Sequence, residues 1–202
     1  MAGVDVGNVA SSCQWDTGII SPLPSVPEKP IGYEEYLAWT DTLQISKWFN
    51  CLRREVFATV LFPEGRAYEA SFHLNVMRRW KMDVSREPAI IFHTDAKNRI
   101  TASPPDQHMR WLLRDALEVA LDSEALLMEH GISMQKWSPK RYSEILNITA
   151  THFYLASQRR SWIKYSIQAL RSSPLSRAYR AWATLFLGIW GAKPLAWVKA
   201  HR

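Results

Sequence analysis

Apolar and polar positions alternate loosely over residues 3–10, a period of two that predicts a strand. Trp15-Asp16-Thr17-Gly18 then reads as a turn. Four prolines within residues 21–30 predict an extended connection, because proline fixes φ and has no N–H for a helix or central strand. From Tyr33 to Trp39, Tyr33, Tyr36 and Leu37 share one face of a short helix. Residues 47–57 form an apolar run entering a second short helix, and Phe62-Pro63-Glu64-Gly65 marks a turn. Between Ala67 and Trp80, Ala70, Leu74, Met77 and, less closely, Trp80 recur at helical spacing, so a helix packed on a sheet is expected. Short strands are expected at Asp83-Val84 and over residues 88–93, followed by a polar loop over 95–103.

After Pro104-Pro105 the pattern becomes purely helical. Residues 106–130 read as one long helix with Met109, Leu112, Leu113, Ala116, Leu117, Ala120 and Leu121 inward and Gly131 as its C-cap. Further helices are expected over 139–157, 161–170 and 174–190, with Pro174 in a first turn, where its missing N–H costs nothing. The expected fold class is therefore α/β: a mixed sheet with packed helices over residues 1–103, then an all-helical region over 104–202. Two to four strands make an awkward independent sheet, which predicts further strands upstream of residue 1.

Composition is that of a globular chain, with 47% apolar and 22% charged residues among 202. Cys13 and Cys51 lie far apart without metal-ligand spacing, so buried free thiols in a reducing compartment are expected. The first residues have neither the basic nor the apolar segment of a signal peptide, and the longest apolar run, 182–190, is too short to span a bilayer. A cytoplasmic protein, soluble or peripheral at the inner membrane face, is the expectation.

Charge is unevenly placed. Residues 151–202 contain no Asp or Glu but nine Lys or Arg: Arg159, Arg160, Lys164, Arg171, Arg177, Arg180, Lys193, Lys199 and Arg202. Removing those nine from the total of 25 leaves 16 basic against 19 acidic residues over 1–150, a net charge of −3.

The order of motifs from residue 52 onward carries a family resemblance. Leu52-Arg53-Arg54-Glu55-Val56-Phe57 is followed by Phe62-Pro63-Glu64-Gly65-Arg66-Ala67-Tyr68-Glu69. Asn75 to Trp80, Glu87-Pro88 and Arg99-Ile100-Thr101-Ala102-Ser103 continue the series. Together they resemble the acceptor-side portion of family 2 glycosyltransferases, inverting enzymes of GT-A fold. The resemblance covers about residues 3–103 and implies a partial GT-A-like sheet. It also implies sugar transfer from a nucleotide sugar, with Mn²⁺ or Mg²⁺, to a glycan or lipid-linked saccharide acceptor.

Two departures limit what the resemblance carries over. The family's Asp-x-Asp, which holds the metal on the donor diphosphate, has no counterpart, and hard cations need clustered carboxylates. No metal or cofactor is therefore expected on this chain alone, and the nucleotide-binding half is expected upstream or on another chain. The family's Glu-Asp pair appears as Glu69-Ala70, and the Asp of that pair commonly acts as general base. Glu69 is then the candidate base, if a carboxylate one position earlier at a helix start reaches the acceptor hydroxyl. Against this, one residue turns a helical side chain by about 100°, and a first-turn carboxylate is favoured by the helix dipole alone.

His93 and Arg99 border the loop that faces the acceptor in the family, so both are candidate acceptor contacts, with ordinary loop polarity as the other reading. Arg78-Arg79-Trp80 resembles part of the Gln-x-x-Arg-Trp of processive synthases, but Val76 stands at the Gln position, and a solvated helix end is expected. His73 and His108 have no ligand partner three or four residues on and read as ordinary surface or core histidines. In the last quarter, Arg177, Arg180, Trp182 and Trp190 mark a basic aromatic helix suited to an anionic membrane surface, or to packing on the catalytic half. No nucleic-acid recognition motif accompanies the charge. Two functions follow: a glycosyltransferase incomplete as this chain, or a non-catalytic membrane-peripheral module derived from one.

Overall fold

The structure, a computed structural model, describes residues 5–21, 26–42, 48–62, 69–93, 110 and 112–172. The chain divides into two compact units, Met1–Lys97 and Asn98–Arg202.

The first unit is organised on β1 (Val6–Trp15), whose middle residues Ala10, Ser11, Ser12 and Cys13 are all buried. Successive strand side chains point to opposite faces, so four buried in a row means that both faces are covered. Their small size lets the covering layers approach closely. After β1 the chain turns at Asp16–Gly18, with Gly18 at φ +83°, a conformation that glycine adopts freely. The turn is closed by Gly18 N–H donating to Trp15 O at 2.8 Å and Trp15 N–H to Ile19 O at 2.7 Å. It leads into β2 (Ile20–Ser21), antiparallel to Cys13–Gln14. After α1 (Tyr33–Thr42), β3 (Trp48–Leu52) pairs antiparallel with Asn8–Ser12. Two helices follow, α2 (Arg54–Thr59) and α3 (Glu69–Arg79), before β4 (Lys81–Phe92) returns parallel to β1 along its whole length. β1 is thus the common partner in a four-stranded mixed sheet.

The β1–β4 ladder is interrupted twice. Val6 pairs with Lys81 and Asn8 with Met82, which leaves Gly7 as an extra residue on β1. Glycine suits such a bulge, and here it also makes room: a Cβ on Gly7 would lie 2.6 Å from both Cβ and Cγ of Trp80. Further along, Ser11 pairs with Ser85 but Cys13 with Ile90, so β4 carries the surplus around Pro88, which has no N–H to give. Ser11 Oγ closes the gap by donating to Glu87 O and accepting from Ala89 N–H, each at 2.9 Å. The two short strands expected at 83–84 and 88–93 are one strand with this irregularity between them.

α3 serves two apolar clusters. Its Met77 joins Ala10, Ile31, Met82 and Val84, with Tyr33, Tyr36 and Trp39 packed against them. Its Phe72 and Val76 join Val56 and Val60. Trp80 ends the helix, and its indole N–H donates to Thr59 Oγ1 at 3.2 Å. Arg78 lies over the Tyr33 ring at 5.4 Å and the Arg79 guanidinium donates to Thr59 O, while both arginines stay exposed, as expected of a solvated helix end.

In the second unit residues 110 and 112–114 are helical, and α4 (Ala116–Trp137), α5 (Pro139–Leu155) and α6 (Arg159–Ser172) follow. Ala120, Leu146, Ala150, Phe153, Tyr165 and Ala169 form their shared core, and the rings of Phe153 and Tyr165 stack at 5.7 Å. Gly131 is not a C-cap. It is buried within α4, which continues to Trp137 and stops where Ser138 precedes Pro139. The residue before a proline disfavours helical geometry, whereas an interior glycine costs a helix only about 1 kcal/mol. Leu117 and Leu121, expected inward, are 44% and 49% exposed, while Ala116 and Ala120 of the same turns are buried. α5 ends in a left-handed Ser157 at φ +62°, with Gln158 N–H donating to Phe153 O and Ser157 N–H to Tyr154 O. The expected helix over 174–190, the loop over 95–103 and residues 63–65 of the expected turn lie outside the described residues.

Gly7→Ala is expected to destabilise the first unit by about 1–3 kcal/mol through overpacking on Trp80. Because the clash is with that side chain from its Cβ outward, adding Gly7→Ala to Trp80→Gly should cost much less than adding it to the native chain, as urea titrations of the four proteins would show. In the second unit, burial and then the bond to Glu124 raise the Tyr165 phenol above its ordinary value of about 10. A raised folded-state value means stability held below the unfolded value and lost as pH climbs through the folded one. Tyr165→Phe should therefore cost about 1 kcal/mol at neutral pH and remove that alkaline loss, measured by denaturant unfolding at neutral and alkaline pH.

Candidate functional site

Glu69 opens α3, with its side chain 77% exposed. Residues four apart share a helix face, and His73 places Nε2 3.7 Å from Glu69 Oε1 with its own side chain 18% exposed. That distance is an ion pair when the imidazole is protonated and is too long for a direct hydrogen bond. Glu69 also sits where the N-terminal end of the helix dipole favours negative charge.

Beside this pair the chain collects aromatic rings. Phe72, 1% exposed, is the buried member. Phe57 of α2 stacks on it at 5.9 Å, Phe62 tilts against it at 4.8 Å, and His73 meets its edge at 5.6 Å. Phe57 and Phe62 remain 47% and 55% exposed, and Leu61 between them is 86% exposed. The fold forces this arrangement: Val56 and Val60 point into the core, which leaves the intervening and following apolar residues partly outside. An aromatic face carries partial negative charge, so exposed rings attract the polarised C–H groups of a sugar ring. A carboxylate on the same helix face as the ring that supports them can take a proton from a hydroxyl placed there.

Of the expected site residues only Glu69 and His93 lie among the described residues. Ala70, where the resemblance leads to the expectation of an Asp, is half-buried and has no group to accept a proton. His93 follows β4, is exposed, and makes no hydrogen bond or ion pair with Glu69 among the described residues. Arg99, Arg177, Arg180, Trp182 and Trp190 lie outside the described residues. Among those described, no three His, Cys, Asp or Glu side chains gather in a way that could hold a metal ion. Cys13 is buried as expected, but Cys51 is exposed on β3. The signal for His73 lay four residues upstream, at Glu69, rather than downstream. Phe57 and Phe62 stood within the motifs, but only tertiary packing shows their faces to be outward.

The described residues define a mixed α/β protein: a four-stranded mixed sheet with packed helices, and a helical unit. No family model, curated protein or solved structure matches the chain. No helix among the described residues is long and apolar enough to cross a membrane.

Proposed function

We propose that this chain forms the acceptor-binding side of an inverting glycosyltransferase, with Glu69 as the general base. The observation that carries the reading is an exposed carboxylate at the start of α3 that pairs with His73, whose ring meets Phe72, the residue on which the partly exposed Phe57 and Phe62 pack. These residues fall within the segment, 52–103, that resembles the acceptor side of family 2 glycosyltransferases.

In this reading the acceptor sugar rests on Phe57 and Phe62 and presents one hydroxyl to Glu69. The hydroxyl oxygen attacks the anomeric carbon of a nucleotide sugar as Glu69 takes its proton, the glycosidic bond forms, and the nucleoside diphosphate leaves with inversion. His73, when protonated, steadies the carboxylate between turnovers. The reading assigns this surface to the acceptor alone and gives it no contact with the donor or with its Mn²⁺ or Mg²⁺. No metal-dependent step is assigned to this chain, because its described residues do not fit a metal. The acceptor class is a glycan or a lipid-linked saccharide. Ala70 favours a second reading, in which the same surface binds a saccharide without catalysis.

The test is a nuclear magnetic resonance titration of the chain with oligosaccharides and water-soluble lipid-linked saccharide analogues. Perturbations should centre on Phe57, Phe62, Glu69 and His73. Phe62→Ala should weaken binding about tenfold, the equivalent of about 1.4 kcal/mol, while lowering unfolding stability by about 1 kcal/mol through its lost ring pair with Phe72 and leaving the chain folded. Glu69→Gln should bind nearly as well as the native chain. Perturbations that gather elsewhere, or a full panel without response, would sink the assignment.

A further inference from the structure

The outward face of α6 carries a second, independent surface. At about 100° per residue, Tyr165, Ser166 and Ala169 point into the core of the helical unit. The opposite side presents Arg160, Ile163, Lys164, Ile167 and Arg171, with Arg159 at its margin. Ile163 and Ile167, one turn apart, are 46% and 43% exposed. α6 contains no acidic residue. Lys164 is partly neutralised, since its Nζ lies 3.6 Å from Glu124 Oε1 and donates to Tyr165 Oη at 3.1 Å. Arg159, Arg160 and Arg171 are exposed and form no ion pair among the described residues.

We propose that this face of α6 docks on the surface of an anionic lipid bilayer. The proposal does not rest on the glycosyl-transfer reading, nor on residues 177–190. Charge complementarity selects an anionic partner, and the isoleucines select among such partners. A nucleic acid would match the arginines yet leave Ile163 and Ile167 in water. Its bases would also find no free ring on this face, because Trp162 packs on Tyr154 at 5.0 Å. A bilayer interface meets both demands, with lipid phosphates for the guanidinium groups and the headgroup–acyl boundary for the two aliphatic side chains. Arginine stems reach along apolar surface while their heads stay among the phosphates.

The experiment is co-sedimentation of the full chain with vesicles of phosphatidylcholine alone or mixed with phosphatidylglycerol. Binding is expected to the mixed vesicles and not to the neutral ones, and it should weaken as salt is raised. Arg160→Gln and Arg171→Gln should each lower the partition coefficient about fivefold. Ile163→Ser with Ile167→Ser should weaken it further, whereas Ile163→Leu with Ile167→Leu should bind like the native chain. Since all four side chains are exposed, circular dichroism should show each variant folded. Equal binding to neutral vesicles, indifference to the arginine changes, or a serine pair that binds normally would overturn the proposal. So would an oligonucleotide that displaces the vesicles without itself being affected by the serine pair.

Discussion

Parallel strands cannot be joined by a tight turn, so the chain that leaves β1 must circle out of the sheet and come back in the same direction. The pairing of β1 with β4 imposes this constraint on the whole first unit. Between them the chain forms a hairpin with β2, crosses through α1, adds β3 on β1, and passes through α2 and α3. α3 delivers the chain back to the head of β4, where Trp80 lies over Gly7 and Lys81 N–H donates to Asp5 O at 2.7 Å. The far end of α3 is then no longer free. At 1.5 Å per residue, Glu69 stands roughly 16 Å along the axis from the Trp80 anchor. The candidate base is positioned by the crossover, and the aromatic group beside it by Phe72, which the crossover buries.

The irregularities of the β1–β4 ladder sit where the local chemistry forbids a regular one. Gly7 leaves the volume that Trp80 fills, and Pro88 removes a donor that Ser11 Oγ replaces in part by bonding on both sides of it. A buried hydroxyl with one donor and one acceptor engaged stabilises modestly, but leaving those backbone groups unpaired inside the sheet costs about 1–3 kcal/mol. The small residues of β1 are therefore a packing requirement on both faces and a hydrogen-bonding requirement at Ser11.

Those same residues explain what the sequence did not reveal. Ala-Ser-Ser-Cys has little of the β-branched and aromatic character that marks a strand, so β1 looked as if it ended at Ala10, five residues early. β4 looked like two strands because Pro88 interrupts the alternation, and the bonds that bridge it come from a side chain 76 residues earlier. Helices were more legible. α1, α3 and α5 fall near their expected ranges because 3.6-residue periodicity and Pro139 are local signals. Gly131 misled because burial in a helix pair offsets its weak local preference, whereas Pro139 is a covalent stop. For the site, Glu69 at a helix start was readable. The partnership with His73 needed a look upstream, and the rings of Phe57 and Phe62 gain their role only when α2 and α3 pack through Phe72.

The two units divide the chemistry between them: a carboxylate and aromatic rings on the first, an acid-free cationic helix on the second. The central claim is that Glu69 removes the acceptor's proton during sugar transfer. Its most direct measurement is nucleotide release by this protein as purified from its source cells, supplied with nucleotide sugars, Mn²⁺ and acceptor. Acceptor-dependent release should fall about 10²–10⁴-fold in Glu69→Gln, the range for loss of a general base, while acceptor affinity changes little. Release that proceeds at an unchanged rate in Glu69→Gln would contradict the account and take the base role away from α3.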